Sequence, residues 1–487
     1  MARKTKVIYR DIAVGAEENA EVSAVGATGE SVLSKIPSGV DPGKIITLEP
    51  NRWALDGTFD RFYEESTVAF WSKDMSDADG KLQAEPVITI SFSKQFSSMG
   101  VSFVFDDAVG EYVSLLNIKW YQNDTLKADQ DFSPTGTFYF CAKRVESYNK
   151  ITITLKKTSI AKRRAKINRI IFGVERVFNM NELRDATAVN KMDESSLELP
   201  ISTFKWTLDS LEDVDYLFQL KQPVEVQNDG KTLGVYYIDG SDRKSSRVYR
   251  INCKDALGVL DDARFPGGAY LSGISAKTLL ETLCNPFTVE YADGVTDRTL
   301  KGVIQPGTNR AAVQQVIFAW GVCLATDGGE TIRVFNLPSA PETIPPNRTF
   351  TGASVKTSAI VTKASVIAHT YVESSNGEIE INGKKYSDTK TIYSVANPDV
   401  IATDKINVKE IKDATLVSPD IGQETAQRLY DYYQRRDLIS ASIVYDGEKL
   451  GECKSIYTPW GTLNTGNLSR MDFKLSNTVV YKVEAKG

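Results

Sequence analysis

Pro86-Val87-Ile88-Thr89-Ile90-Ser91-Phe92-Ser93 alternates side-chain character with a period of two. Successive side chains of an extended strand leave opposite faces, so Ile88, Ile90 and Phe92 share one face and Thr89, Ser91 and Ser93 the other. Outward from it, Val101-Ser102-Phe103-Val104-Phe105, Asn117-Ile118-Lys119-Trp120-Tyr121, Gly136-Thr137-Phe138-Tyr139-Phe140 and Lys150-Ile151-Thr152-Ile153-Thr154-Leu155 repeat the period. Asp-Gly, Asn-Asp and Pro-Thr-Gly turns separate these short strands, and no convincing helix interrupts them. The pattern predicts an antiparallel, jelly-roll-like β-sandwich over residues 49–175. Before it, residues 1–48 are rich in Ala, Gly, Val and Glu and poor in large apolar side chains, which reads as an extended arm that orders against something else.

After the sandwich the alternation resumes in Ser202–Leu208, Val224–Val226, Leu233–Ile238 and Arg247–Cys253, with the hairpin signal Asn228-Asp229-Gly230 between two of them. A β-barrel over 176–264 is expected. Residues 265–345 change character: Ser275–Leu283 and Asn309–Trp320 are helix-like, and Ala312, Val313, Val316, Ile317 and Trp320 fall on one stripe. An α+β insert follows, ending at the stiff Leu337-Pro338-Ser339-Ala340-Pro341. A second barrel is expected over 346–487. One helix interrupts it at about 419–436, where Ser418-Pro419 supplies a cap and a first-turn proline and Ala426, Leu429, Tyr430 and Tyr433 form the buried stripe. The fold class predicted is therefore mainly β and multidomain: a sandwich, then two tube-like barrels flanking a small α+β insert.

Composition bounds the chemistry. A chain of 487 residues is long enough for about three or four cores of typical domain size. No stretch approaches the roughly 18 apolar residues that cross a bilayer, and the charged N-terminus carries no signal-peptide core, so neither membrane insertion nor secretion is expected. Net charge is −5, too little for a whole-chain pull toward nucleic acid. The five cysteines stand singly and read as reduced, buried thiols.

A single histidine, His369, is the most restrictive count, because triads and many zinc sites need imidazole. It lies mid-strand in Ala368-His369-Thr370-Tyr371, with no G-x-S-x-G in the chain, and reads as structural. H-E-x-x-H, the Walker loop and G-x-G-x-x-G are all absent. Asp74–Gly80 resembles a calcium loop only until its glycine is aligned, which puts Met75 at the first ligand position and Pro86 at the last. No catalytic residue, metal site or cofactor is therefore expected, although a glycosidase needs only two carboxylates, and Asp60, Glu64 and Glu65 remain candidates for that role.

Two binding features stand out. Lys143, Arg144, Lys150, Lys156, Lys157, Lys162, Arg163, Arg164, Lys166 and Arg169 form a basic stretch opposed only by Glu146. Their alternation with apolar residues favours a solvated hairpin face over a phosphate-binding track. Trp53, Trp71, Trp120 and Tyr121 are candidate platforms for stacking a cell-wall glycan, weighed against core filling, the usual fate of such rings.

Three passages carry a likeness. The first is Arg169-Ile170-Ile171-Phe172-Gly173-Val174-Glu175 followed by Glu198–Leu208. The second is Tyr249-Arg250-Ile251-Asn252-Cys253-Lys254-Asp255-Ala256-Leu257-Gly258-Val259-Leu260, then Phe265–Tyr270. The third is Ala426–Leu429 through Tyr432-Tyr433-Gln434-Arg435-Arg436, then Gly451-Glu452-Cys453, Thr458-Pro459-Trp460-Gly461 and the closing Tyr481–Ala485. Together they resemble baseplate and tail-hub proteins of phages and phage-like contractile particles of Gram-positive bacteria, over roughly 165–487. Trp53-Ala54-Leu55-Asp56-Gly57 and the strands after it look like the discoidin- or carbohydrate-module-type sandwich often fused in front of such hubs.

The resemblance implies a homotrimer whose paired barrels join the tail tube to the baseplate spike. It implies assembly in the bacterial cytoplasm, residence in the virion or particle, and no bond-making step. The rival readings are a receptor- or wall-glycan-binding tail protein acting through the sandwich and a tail-associated wall-degrading enzyme.

Overall fold

The computed structural model describes residues 5–13, 15–41, 43–47, 49–50, 63–211, 218–228, 230–266, 268–326, 331–401, 405–475 and 480–487. The protein is mainly β and multidomain. It divides into two compact units, one formed by Tyr9–Arg176 and the other by Met1–Ile8 with Val177–Gly487.

The Tyr9–Arg176 unit is built on a six-stranded antiparallel sheet in which Arg169–Ile171, Val87–Val104, Phe138–Thr158, Val113–Gln122 and Thr125–Phe132 lie in that order, while Ala20–Val25 also pairs with Val87–Val104. The quoted alternation sets the register: Ile88 faces Ile153 and Ile90 faces Ile151 across one strand pair, and Ile118 faces Ile153 across the next. All five isoleucines are fully buried, with Phe103, Trp120 and Leu155, in one core. Burying such side chains stabilises the fold by about 1.5–3 kcal/mol each. The two long central strands are bulged between Ser91 and Gly100. Gly100 has φ +152°, and a Cβ there would run into the carbonyl oxygen of Cys141, so the close strand approach requires glycine. The stretch expected as an arm supplies Ala20–Val25 to this sheet and Ala16 and Ile36 to this core, because its small alternating residues complete a face the sandwich strands leave open. The two-stranded pairs Phe70–Met75 with Arg164–Ile167 and Gly43–Ile46 with Tyr63–Ser66 complete the unit.

In the larger unit, one continuous sheet carries in spatial order Pro223–Asn228, Lys231–Arg243, Val248–Lys254, Thr203–Asp209, Leu183–Lys191, Leu463–Lys474, Val480–Lys486, Asp437–Val444 and Ser354–Thr357. The two strand-rich blocks legible in sequence are thus joined edge to edge, with Ala188 opposite Phe473 and Asn190 opposite Met471.

Helices Ala256–Asp262, Ala276–Cys284 and Asn309–Trp320 begin at Asp255, Ser275 and Thr308, whose side chains accept the N–H of Gly258, Thr278 and Ala311. Such caps are typically worth about 1 kcal/mol each. The predicted stripe Ala312, Val313, Val316, Ile317 and Trp320 is buried. It shares one core with Ala364, Val366 and Ala368 of strand Lys363–Glu373 and with Ala426 and Leu429 of helix Pro419–Gln434. The stretch read as a separate insert therefore shares its core with elements from beyond residue 345. Apolar faces of neighbouring elements are buried together, and sequence order does not prevent that.

Candidate functional site

Of the four rings expected as a platform, one is in the core among the described residues. Trp53 lies outside the described residues. Trp120 is fully buried, its ring edge-on to Phe132 at 6.4 Å, and it presents no face to a ligand. Its position in an inward-facing register consigned it to the core. Tyr121 follows on the same strand, and Lys150 Nζ sits 4.9 Å from its ring centre. Trp71, half-buried on strand Phe70–Met75, has Lys166 Nζ 4.8 Å from its ring centre.

The basic stretch is largely matched by carboxylates. Arg144 pairs with Glu146, Lys150 with Asp124, Lys156 with Asp131, Arg163 with Glu111 and Arg169 with Glu17. Most partners lie outside the stretch itself, which is why the run looked unopposed in sequence. Lys166 is buried among three carboxylates: Nζ lies 3.0 Å from Glu49 Oε2, 3.0 Å from Glu111 Oε2 and 3.9 Å from Asp106 Oδ2. Glu49 also accepts from Thr47 Oγ1 at 2.9 Å and from the Arg164 N–H at 2.7 Å. Burial pushes the Glu49 pKa up, but the charge of Lys166 and these hydrogen bonds outweigh it and hold the carboxyl below its ordinary value. Asp60 and the side chains of Glu64 and Glu65 lie outside what the structure describes.

His369 is held at both ring nitrogens. Nδ1 is 2.9 Å from Asp388 Oδ2 and Nε2 is 3.1 Å from the carbonyl oxygen of Lys412. A carbonyl oxygen only accepts, so Nε2 carries a proton and donates it there, leaving no nitrogen free to deprotonate a nucleophile. The ring also stacks on Tyr371 at 5.8 Å. The five cysteines are buried, and burial raises the Cys284 and Cys323 thiols to about 12, far from the thiolate form. Among the described residues, no group of three or more His, Cys, Asp or Glu side chains is arranged to hold a metal ion.

Several perturbed charges converge in the larger unit, where the segment around Glu194, the C-terminal end of helix Pro419–Gln434 and the strand Val480–Lys486 meet. Glu194 has a side chain 1% exposed, with Arg435 Nη1 2.6 Å from Oε2. Neither of its oxygens accepts a well-formed hydrogen bond. Burial raises this carboxyl to about 7, against the opposing charges of Arg435 and Lys486. Lys486 lies over the ring of Tyr432, 3.3 Å from its centre, and burial lowers its pKa to about 8. Arg435 anchors the group, donating also to Asn467 Oδ1 at 2.9 Å and to the carbonyl oxygen of Lys486.

Beside this cluster opens a cavity of about 290 Å³ whose polar lining includes Glu194, Arg428, Asp431, Tyr432 and Arg435. Sequence reading missed it. Its members come from positions as far apart as 194 and 435, and the one local signal was the basic pair Arg435-Arg436 ending a helix.

No protein-family model matches the chain, and no curated protein matches it. Solved structures do resemble it. A tail protein from Neisseria meningitidis MC58 aligns at 15% identity and a TM-score of 0.46, covering 64% of this chain and 93% of that one. Prophage tail protein gp18 from Listeria monocytogenes EGD-e aligns at 12% identity and a TM-score of 0.42, covering 64% and 91%. The 43 kDa tail protein of prophage MuSo2 from Shewanella oneidensis aligns at 10% identity and a TM-score of 0.44, covering 64% and 95%.

Proposed function

We propose that this chain is a non-enzymatic structural hub of a phage tail or phage-tail-like particle, assembled in the bacterial cytoplasm and oligomerising, as a homotrimer, to join the tail tube to the baseplate spike. One observation carries the reading: a strand from each of the three passages that resemble tail-hub proteins, Thr203–Asp209, Val248–Lys254 and Val480–Lys486, far apart in sequence, lies in one sheet. Thr203–Asp209 and Val248–Lys254 are neighbouring strands, with Phe204 opposite Cys253 and Trp206 opposite Ile251. The strand Leu463–Lys474 that follows Thr458-Pro459-Trp460-Gly461 continues the same sheet through Leu183–Lys191. A likeness scattered over loops would carry little; one concentrated in a shared sheet describes a scaffold. The reading also suits the chemistry, since His369 has no free nitrogen and the buried thiols are poor nucleophiles. Identical subunits closing into a ring would end assembly without growing fibres.

Mass measurement on particles purified from the producing bacterium tests this reading, with three copies per particle expected. One solitary copy, or a stoichiometry incompatible with a ring, overturns it. Clearing of peptidoglycan by the purified chain would replace the non-enzymatic role. The glycan-binding alternative has lost Trp120 to the core, and Trp71→Ala in a folded protein tests what remains of it by pull-down on cell walls.

A further inference from the structure

Arg428 is the unexplained charge of the larger unit. It lies on helix Pro419–Gln434 and lines the 290 Å³ cavity, where it is half-buried and the surrounding protein lowers its pKa to about 10. A guanidinium has five N–H donors. Among the described residues its one acceptor is the carbonyl oxygen of Phe318, with the Phe318 ring centre 5.1 Å away, and it forms no ion pair. Neither nearby acid pairs with it. Glu424 takes both oxygens to Arg298 at 2.7 and 2.8 Å, and Asp431 accepts from Gln427 at 2.8 Å. Gly321, at φ +88°, ends the preceding helix and leaves open the space that Arg428 Nη1 approaches. A poorly hydrated cation without a counter-charge is costly unless an anion joins it.

We propose that this cavity binds a carboxylate, gripped by the guanidinium of Arg428 with Arg435 beside it. A planar guanidinium matches a planar carboxylate in a two-bond fork. The cavity volume suits one carboxylate-bearing residue or a small organic acid. Glu194 tunes the site. Ionised, it neutralises Arg435; protonated, it releases the charge of Arg435 to the cavity. The groups facing Glu194 are Arg435, Lys486, Asp193, Tyr432, Cys323 and Cys453. Lys486, lowered to about 8, gains its proton below that value, which acts in the same direction. Affinity therefore rises as pH falls from 8 to 6.

The test is titration of the full chain with sodium acetate against sodium chloride at matched ionic strength, followed by thermal shift and by ¹³C-acetate NMR. Triglycine as the free acid and as the amide, and inorganic phosphate, are titrated alongside. Saturable acetate or free-acid binding is expected, weakened at least about tenfold in Arg428→Gln and severalfold in Arg428→Lys, which keeps charge but loses the fork. Tighter binding of free-acid triglycine than of acetate assigns the site to a chain terminus; the reverse assigns it to a small acid. The rise in affinity toward pH 6 should lose its component centred near pH 7 in Glu194→Gln. Three results would overturn the proposal: no saturable carboxylate binding, binding indifferent to Arg428, or phosphate bound in preference. Should Arg428→Gln fail to fold, Arg428→Lys and the pH profile of Glu194→Gln decide.

Discussion

Two buried carboxylates, Glu49 in the Tyr9–Arg176 unit and Glu194 in the larger unit, have opposite fates. Their side chains are almost equally hidden, at 0% and 1% exposure, and each has a cation within 3.0 Å. Glu49 is held below its ordinary pKa and Glu194 is raised to about 7. Protein encloses Glu194 more deeply, and the two differ in hydrogen bonding. Glu49 accepts from a hydroxyl and a backbone N–H besides its lysine, whereas Glu194 faces one arginine whose other nitrogen is tied to Asn467 and to the Lys486 carbonyl oxygen. A counter-charge alone does not make a buried carboxylate comfortable; filled lone pairs do.

The comparison breaks most visibly at Lys166. Replacing it by methionine leaves Glu49, Glu111 and Asp106 facing one another, and urea unfolding should show a loss of about 3–5 kcal/mol from the Tyr9–Arg176 unit. A loss under 1 kcal/mol would mean the cluster holds nothing. The depressed Glu49 pKa also fixes a sign. Its stabilisation is present above its unfolded value and is lost as pH falls through the folded one, so Glu49→Gln should flatten the acid limb of the stability profile.

Glu194 carries the opposite sign. The fold binds its proton more tightly than the unfolded chain does, so stability falls as pH rises from about 4.5 toward about 7. Glu194→Gln should remove that slope and raise stability at pH 8 by about 1–3 kcal/mol, read as melting temperature against pH. A destabilised variant at pH 8 would show that the Arg435 pair outweighs the cost of burying the charge.

The smallest effect sharpens the contrast. Thr47→Val deletes the hydroxyl that donates to Glu49 Oε2 and accepts from the Glu49 N–H, and should cost about 1–2 kcal/mol while moving the acid limb toward higher pH.

Strand periodicity was legible wherever one face meets a core: Ile88, Ile90, Ile118 and Ile151 could be assigned inward from spacing alone. One helix start was legible too: Ser418-Pro419 opens helix Pro419–Gln434, although the Ser418 side chain makes no capping hydrogen bond, whereas the caps that do form at Ser275 and Thr308 went unread. Partnership was not. Nothing near Lys166 in the chain announces Glu49 or Glu111, and Glu194 finds Arg435 and Lys486 only through tertiary packing. Trp120 and Trp71 differ for the same reason: period two places a ring on a face, but only the sheet's surroundings decide whether that face is covered.

The seam between Leu183–Lys191 and Leu463–Lys474 governs how the molecule is made. About 280 residues separate the two strands, and ribosomes deliver roughly 5–20 residues per second. For some tens of seconds the earlier strand has no partner on that side. The nascent chain must shelter this raw margin, and Lys191 on it and Arg184 and Asp185 just beyond its end are charged residues of the kind that deter rogue strand addition until the late strand arrives.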